Sequence, residues 1–199
     1  DEYPQMTEKW SYGEGDIKAV RIEFNGVITR ASETGFFGET FNQVESVLRQ
    51  IRAAKNDEEV RALVFEVDSP GGEITPSDEI YQALMDFKAS GNGRKVIVFV
   101  RDLAASGGYY MGAAGDWIIA QPTALLGSIG VIMESINFKG LSDKIGVTDV
   151  TIKSGANKDL LNPFREVSPE HVRILQASVD AMYERFFNIV QASRRIDED

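Results

Sequence analysis

Apolar residues alternate between two spacings along this chain, and their order constrains the fold more than any other feature of the sequence. Strand-like patterns occupy residues 17–24, 60–67 and 96–100, and helical spacing occupies residues 41–54 and 77–87. A strand, helix, strand order implies parallel strands joined by crossover helices. We therefore predict an α/β layered domain with a mainly parallel sheet flanked by helices.

Each of these two helical segments has one apolar face. The inward side chains are expected to be Phe41, Val44, Val47, Leu48 and Ile51 in the first segment, and Ile80, Leu84 and Phe87 in the second. Further along, short strands are predicted at residues 117–120, 130–133 and 147–152, with a short helix at residues 141–145. The alternation of strands and helices therefore continues beyond the middle of the chain.

A long C-terminal helix is predicted to begin at Pro169, because Ser168 is a favourable cap and proline suits the first helical position. Its apolar residues recur at steps of three and four: Val172, Leu175, Val179, Met182, Phe186 and Ile189. Such a seam packs on the sheet, on another subunit, or on both. Periodicity does not separate these possibilities.

Composition limits the class of protein. With 199 residues, 43% of them apolar, we predict one domain at residues 16–199 after a flexible arm at residues 1–15. The net charge of −10 argues against nucleic-acid binding and against direct adsorption onto anionic lipid. Cysteine is absent, which excludes disulfides, thiolate catalysis and cysteine-based zinc sites.

One serine is a candidate nucleophile. Ser106 lies in the run AASGGYY, residues 104–110, directly after an apolar strand and before small residues that can form a helix. A hydroxyl there lies at a sharp turn where unpaired backbone N–H groups and the helix dipole favour negative charge. The alternative is a Ser/Gly turn that only joins a strand to a helix.

The candidate bases are lysines. His171 is the only histidine, and its place in the first turn of the charged terminal helix predicts a solvated surface residue, which argues against a Ser-His-Asp triad. Lys153 and Lys158 lie close together in the run IKSGANKD, followed by apolar residues that could form a dry pocket. Such a pocket could lower the pKa of a lysine well below its usual value of roughly 10.4. The alternative for either is an ordinary surface lysine.

Glycine-rich turns offer donors for a developing oxyanion. Gly71 and Gly72 lie at the tip of a turn after a predicted strand, and Gly107 follows the candidate nucleophile. Their backbone N–H groups could hold the oxygen of an acyl-transfer intermediate. Ser128, in the run GSIGV at residues 127–131, could orient a neutral lysine amine, or it could cap its own turn.

Four motifs together resemble the signal peptide peptidase A family of Ser/Lys proteases. They are DSPGG at residues 68–72, ASGGYY at 105–110, GSIGV at 127–131, and KSG at 153–155 with Lys158-Asp159. The resemblance implies a Clp protease/crotonase-like fold and the following roles: nucleophile Ser106, general base Lys158, oxyanion hole Gly72 and Gly107, lysine-orienting Ser128, and substrate-binding Gly71 and Gly108. It implies no cofactor and no metal.

The resemblance also implies partners and location. Substrates would be remnant signal peptides and other unfolded or hydrophobic peptides, and the serine and lysine would come from neighbouring subunits of a homo-oligomeric ring. Family members usually carry a membrane anchor, with the catalytic domain on the extracytoplasmic side, and a further segment after the terminal helix. Because no apolar run here is long enough to span a bilayer and the first residue is Asp1, we expect a processed or trimmed form of such a protein.

Two other functions compete with a protease. One is an acyl-CoA enzyme of the crotonase kind, which would need carboxylate acid/base groups and a CoA-binding surface that this acidic chain does not indicate. The other is a catalytically inactive, ring-forming scaffold. Asn157 also replaces an aromatic residue that is common in the resembled family, which would change the packing near the lysine without removing it.

Overall fold

The computed structural model of the protein describes residues 17–34, 40–91 and 93–194, together with Thr7. Apart from Thr7, the predicted arm at residues 1–15 lies outside the described residues. The chain divides into two compact units. The first unit comprises Asp1–Ile129 and Phe186–Asp199, and the second comprises Gly130–Arg185.

A parallel sheet forms the centre of the first unit. The strands are β1 (Lys18–Asn25), β2 (Glu33–Thr34), β3 (Thr40–Phe41), β4 (Val60–Ser69), β5 (Lys95–Ala105), β6 (Trp117–Ala120) and β7 (Leu125–Gly127). The sheet has the order β1, β4, β5, β6, and β7 pairs with the C-terminal end of β5. All pairings within it are parallel, which confirms the prediction from the alternating pattern, while β2 and β3 form a separate antiparallel pair.

Helices join consecutive strands of this sheet. They are α1 (Gln43–Asn56), α2 (Ile74–Ala89) and α3 (Gly107–Gly112). The side chain of Asn42 accepts a hydrogen bond from the Glu45 N–H at 3.0 Å, which caps the start of α1. This cap explains one correction: Phe41, predicted as the first inward residue of the helix, lies in β3 and is 53% exposed.

The apolar core lies on one face of the sheet. Ile22, Phe65 and Val98 occupy matching positions on three neighbouring strands, and all three are fully buried. The apolar faces of α1 and α2 belong to the same cluster. Burying each such side chain stabilises the fold by about 1.5–3 kcal/mol relative to leaving it in water. The core therefore provides firm support for the ends of β4 and β5.

Charged side chains lie on the opposite face. Glu66 of β4 is 5% exposed, and its carboxylate accepts hydrogen bonds from Arg21 of β1 and Arg101 of β5. Burial acts to raise the pKa of Glu66, but the two arginine hydrogen bonds outweigh it, so the pKa lies below its ordinary value. The buried charge is therefore satisfied by partners on both neighbouring strands.

Two predicted strands are absent. Residues 130–133 and 147–152 are not strands, and Ile132 and Ile152 within them are 81% and 96% exposed. Their alternating apolar residues predict a strand with one buried face, but a strand also requires a neighbouring strand for its hydrogen bonds. The last strand along the chain that pairs in the described sheet is β7, which ends at Gly127, before either segment.

The second unit contains α4 (Lys139–Ile145) and most of α5 (Pro169–Arg194). Both helices were predicted, and α5 begins at Pro169 as the cap signal indicated. On the predicted seam of α5, Phe186 is buried, whereas Val172 is half exposed. Among the helices described, none combines the length and apolar character needed to cross a bilayer.

Candidate active site

Ser106 lies in a sharp turn between β5 and α3. Its backbone has φ 50° and ψ −120°, a conformation that residues other than glycine seldom adopt. The Ser106 N–H donates to the Gly127 carbonyl at 2.9 Å, and the Ser106 carbonyl accepts from the Tyr110 N–H at 2.9 Å. These two bonds hold the strained turn from both sides. The half-buried serine thus has a defined position at the carboxyl edge of the parallel sheet.

The turn at residues 71–72 follows β4 and lies against Ser106. A Cβ atom added to Gly71 would lie 2.8 Å from both Ser106 Cβ and the Gly107 nitrogen. Gly71 also has φ +98°, a conformation that favours glycine. Because β4 and β5 are adjacent parallel strands, their carboxyl ends meet at one edge of the sheet. The structure therefore brings Gly71, Ser106 and Gly107 together.

The amides of this turn differ in their partners. The Gly71 N–H donates to Ser69 Oγ at 3.1 Å. The Glu73 N–H donates to the Ile28 carbonyl at 2.8 Å. Within the described part of the chain, the Gly72 N–H has no hydrogen-bond partner. In the parallel bridge between Ile28 and Gly72, the Ile28 N–H donates to the Gly71 carbonyl, and the Ile28 carbonyl accepts from the Glu73 N–H. The Gly72 amide therefore faces away from Ile28, on the side where a ligand could accept from it.

Gly107 and Gly108 let α3 approach its neighbours closely. A Cβ on Gly107 would lie 2.4 Å from Ser77 Oγ, and a Cβ on Gly108 would lie 2.7 Å from the Ser69 carbonyl oxygen. The first N–H groups of a helix have no acceptor within it, and the Gly107 N–H has no partner among the described residues. The turn after β4 and the start of α3 meet at Gly71. Each therefore carries one amide, that of Gly72 or that of Gly107, with no partner among the described residues.

Ser128 follows β7 at the same edge of the sheet. Its neighbour Gly127 is paired in register with Ala105 and accepts the Ser106 N–H. Ser128 is exposed and has φ 54°, so two strained serines lie at the ends of paired strands. No hydrogen bond from Ser128 Oγ to its own turn is found in the described ranges.

Both candidate lysines lie in the second unit, on the loop before α5. Lys153 Nζ donates to Asp159 Oδ1 at 2.6 Å and to the Ala156 carbonyl at 2.7 Å. Lys158 is exposed, and its ammonium has no hydrogen-bond or ion-pair partner among the residues described. Phe164, expected to help form a dry pocket, is itself 40% exposed. Lys153 is thus engaged within the loop, whereas Lys158 is open to contact from outside.

Ion pairs stabilise the loop between α4 and α5, residues 146–168, which carries both lysines. Arg165 donates to Asp149 at 2.9 Å and lies 3.6 Å from Asp159, whose side chain is 7% exposed. The hydrogen bond from Lys153 holds the pKa of Asp159 below its ordinary value. The hydrogen bond from Arg165 does the same for the pKa of Asp149. The loop conformation therefore depends on charged side chains.

The predicted site residues fall into two groups. Ser106 and the glycines around it belong to the first unit, and Lys158 belongs to the second. His171 is half-buried in the first turn of α5, also in the second unit. Throughout the described ranges, no three His, Cys, Asp or Glu side chains are grouped so that they could hold a metal ion.

Several residues around the serine carry no sequence signal. Ile28 pairs with the glycine turn through its backbone, and the Ser77 side chain lies against Gly107. The Tyr110 hydroxyl donates to Asp78, a contact between residues 32 positions apart. Ile28 could have been found by extending the predicted pairing of β1 and β4 beyond the ends of the strands. The side-chain contacts between α2 and α3 could not, because they depend on how the two helices pack.

Comparison with known proteins identifies relatives over most of the chain. The family model described as peptidase family S49 matches residues 88–199, more than half of the chain. A putative signal peptide peptidase SppA of Enterococcus faecium is 37% identical over 93% of this chain and 53% of its own length. A putative protease of Synechocystis sp. is 35% identical over 90% of this chain and 59% of its own length.

A more distant relative covers less of the chain. Protease 4 of Salmonella typhi is 32% identical over 76% of this chain and 24% of its own length. The chain therefore spans about half the length of the two relatives from Enterococcus and Synechocystis, and a smaller part of this one.

Proposed function

The chain belongs to peptidase family S49, a family of serine proteases with the Clp protease/crotonase-like fold, and we propose that Ser106 is its nucleophile and Lys158 its general base. In this proposal the N–H groups of Gly72 and Gly107 form the oxyanion hole, and Ser128 orients the lysine amine. One observation carries the proposal: Ser106 lies in a strained turn beside two amides that have no partners in the described chain.

The proposed reaction proceeds through an acyl-enzyme. Neutral Lys158 takes the proton of Ser106 as Ser106 Oγ attacks the carbonyl carbon of the scissile peptide bond. The oxyanion of the tetrahedral intermediate accepts hydrogen bonds from the oxyanion-hole amides. As the C–N bond breaks, the lysine ammonium gives its proton to the leaving amine. Neutral lysine then takes a proton from a water molecule as its oxygen attacks the ester carbonyl. When the ester C–O bond breaks, the lysine ammonium gives that proton to the departing serine oxygen, which restores the serine hydroxyl and the neutral lysine.

An extended peptide is the proposed substrate form. The Gly72 amide faces away from Ile28, which leaves the opposite side of the turn open for pairing with an extended chain. Gly71 and Gly108 are the proposed substrate-binding residues, because glycine lets a peptide backbone approach closely. Shallow apolar pockets would then select small or hydrophobic side chains.

The proposed base requires a neighbouring subunit. A lysine with the usual pKa of roughly 10.4 is protonated at neutral pH, and burial is the means of lowering that pKa. Within this chain Lys158 is exposed. Apolar side chains of the second unit are exposed as well, Ile132, Val150 and Ile152 by 81%, 82% and 96%. We therefore infer a homo-oligomeric ring in which a second copy covers this surface and the serine and lysine come from neighbouring subunits.

The substrates and the location are part of the same proposal. The Enterococcus relative is named a putative signal peptide peptidase. We infer that this enzyme degrades remnant signal peptides and other unfolded or hydrophobic peptides at the cell membrane, on its extracytoplasmic side. The chemistry requires no cofactor. The net charge of −10 agrees with a peptide partner and not with nucleic acid.

The test compares two loss-of-function variants with a matched lysine control. Ser106→Ala and Lys158→Ala should each lower the cleavage of a hydrophobic fluorogenic peptide by about 10³-fold or more, because each removes a reacting group. Lys153→Arg keeps a cation beside Asp159 but cannot act as a neutral base, and it should retain most activity. Thermal unfolding and sedimentation of each variant verify that fold and assembly are intact. Full activity of Ser106→Ala would refute the assignment of the nucleophile.

Mixing the inactive variants tests the shared dyad. If serine and lysine come from different subunits, a random mixture of Ser106→Ala and Lys158→Ala chains contains both groups in about a quarter of its sites. Activity should then return to that level. A correctly assembled mixture without activity would contradict sharing between subunits. An assembled wild-type ring that cleaves no peptide would favour the inactive scaffold, and stabilisation by CoA thioesters would favour the acyl-CoA enzyme.

A further inference from the structure

A buried hydrogen bond lies behind the proposed oxyanion hole. Tyr110 of α3 is 4% exposed, and its hydroxyl donates to Asp78 Oδ1 of α2 at 2.7 Å. Neither residue touches the reacting atoms in the proposed mechanism. A hydrogen bond to a carboxylate is stronger than one between neutral groups, and burial increases its influence on the spacing of the two helices.

The two helices that this bond joins carry the two proposed oxyanion donors. Gly72 lies just before the start of α2 at Ile74, and Gly107 is the first residue of α3. Ser77 of α2 also touches α3 directly, because a Cβ on Gly107 would lie 2.4 Å from Ser77 Oγ. The helices are thus in contact at two points, one at the donors and one at the next turn of α3.

Aromatic packing fixes the direction of the Tyr110 ring. Tyr81 meets it edge to face, with ring centroids 5.5 Å apart and an interplanar angle of 82°. Phe186 of α5 packs against it at 4.9 Å, and Val190 belongs to the same cluster. A ring held by several neighbours keeps its hydroxyl in one place. Small changes in the length of the hydrogen bond therefore become changes in the separation of α2 and α3.

We propose that the Tyr110–Asp78 hydrogen bond sets the distance between the Gly72 and Gly107 amides, and that Tyr110 is therefore a positioning residue for the oxyanion hole. The inference rests on the proposed function. A tetrahedral oxyanion is stabilised only when both donors lie about 2.7–3.1 Å from it, a requirement that the ground-state substrate does not share. Loss of the bond should therefore affect kcat more than KM.

Tyr110→Phe tests this inference, because it removes the hydroxyl and keeps the ring. The wild-type assembly is compared with this variant and with Tyr109→Phe, the same change at a half-buried neighbour. We expect Tyr110→Phe to lower kcat for the reporter peptide by about 10- to 100-fold with little change in KM, and Tyr109→Phe to have a small effect. Active-site titration with a fluorophosphonate corrects each rate for the fraction of competent sites.

A pair of inhibitors separates positioning from general damage. A peptide aldehyde forms a tetrahedral adduct with Ser106 and should lose affinity by the same factor as kcat. The corresponding peptide alcohol cannot form this adduct and should bind Tyr110→Phe as it binds the wild type. Unchanged kcat and unchanged aldehyde affinity in Tyr110→Phe would overturn the proposal. Equal losses for aldehyde and alcohol would overturn it too, because they would indicate a merely structural role.

Variants at Asp78 provide an independent test, which remains available if Tyr110→Phe fails to fold. Asp78→Asn keeps an acceptor oxygen and should retain most of kcat, whereas Asp78→Ala should lose at least as much kcat as Tyr110→Phe. The double variant should be no worse than Asp78→Ala alone, because the bond is already absent in that variant. Additive losses would contradict the proposal. If Ser106→Ala remains active, the proposed function itself is wrong. If Ser106→Ala is inactive while Tyr110→Phe and Asp78→Ala have normal kcat, only this inference is wrong.

Discussion

The two compact units of the chain differ in where their apolar side chains lie. In the first unit, Ile22 and Phe65 are among many core side chains with no solvent exposure. In residues 130–185, all of which the structure describes, Ser142 is the only buried residue, and Ile152 is 96% exposed. The first unit thus gains its stability from internal apolar contacts, whereas the second leaves many of its apolar side chains exposed within this chain.

The polar interactions differ in the same way. In the first unit, Glu66 is buried between two arginines. In the second, pairs such as Glu170 with Arg173 are exposed to solvent, which screens their attraction. The proposed nucleophile therefore lies on a rigid support, and the proposed base lies on a loop held by polar contacts.

The strongest test of this contrast compares the same substitution in both units. Ile22→Ala should lower the free energy of unfolding by about 2–5 kcal/mol, because it leaves a cavity in the core. Ile152→Ala should change it by less than about 0.5 kcal/mol, because the side chain is exposed within the chain. Denaturant unfolding is measured at a concentration where sedimentation shows a monomer. Equal costs at the two positions would remove the distinction between the units.

A second comparison concerns glycines. A Cβ on Gly72 would lie 2.1 Å from the Ile28 carbonyl oxygen, whereas a Cβ on Gly140 in α4 would meet nothing within 4 Å. Gly72→Ala should therefore destabilise the protein by about 1–3 kcal/mol and abolish peptide cleavage. Gly140→Ala should stabilise it by about 0.5–1 kcal/mol with activity retained. Chemical denaturation and the peptide assay measure both, and effects of the same sign would contradict the expectation.

The smallest expected effect concerns buried and exposed carboxylates. Glu66→Gln should destabilise the protein by about 1–2 kcal/mol at neutral pH, because it removes the buried negative charge and leaves one of the two arginines facing an amide NH2 group in place of an acceptor oxygen. Since the folded-state pKa of Glu66 lies below its ordinary value of 4.5, this stabilisation is complete above that value. It is lost as the pH falls through the lower, folded-state pKa.

The matched control for this substitution is Glu170→Gln. Its hydrogen bond from Arg173 also lowers the pKa of Glu170, but both side chains are exposed, so the change in stability should be clearly smaller. Urea unfolding at about pH 7 and about pH 4 measures both variants against the wild type. A difference for Glu66→Gln that stayed constant between the two pH values would rule out the ionised carboxylate as its source.

Much of the first unit could be predicted because its signals are local. The strands and helices of the core have clear apolar periods, and the cap at Asn42 corrected only the start of one helix. The prediction of a strand at residues 147–152 was wrong. An alternating pattern indicates which face of a strand should be buried, but not whether another strand lies beside it. In the site, Gly71 beside Ser106 followed from adjacent parallel strands. The contact between Tyr110 and Asp78 depends on how two helices pack.

The order of apolar periods and the glycine-rich motifs by themselves determined the parallel layered sheet and the loops that carry the candidate nucleophile and oxyanion donors. These features depend on neighbouring residues and on strand order, and both can be read from the sequence. Only the tertiary structure decided which amides have no partner among the described residues, which lysine is engaged by Asp159, and which apolar side chains are exposed. Hydrogen-bond pairing and burial are properties of residues brought together in space, and no local pattern specifies them.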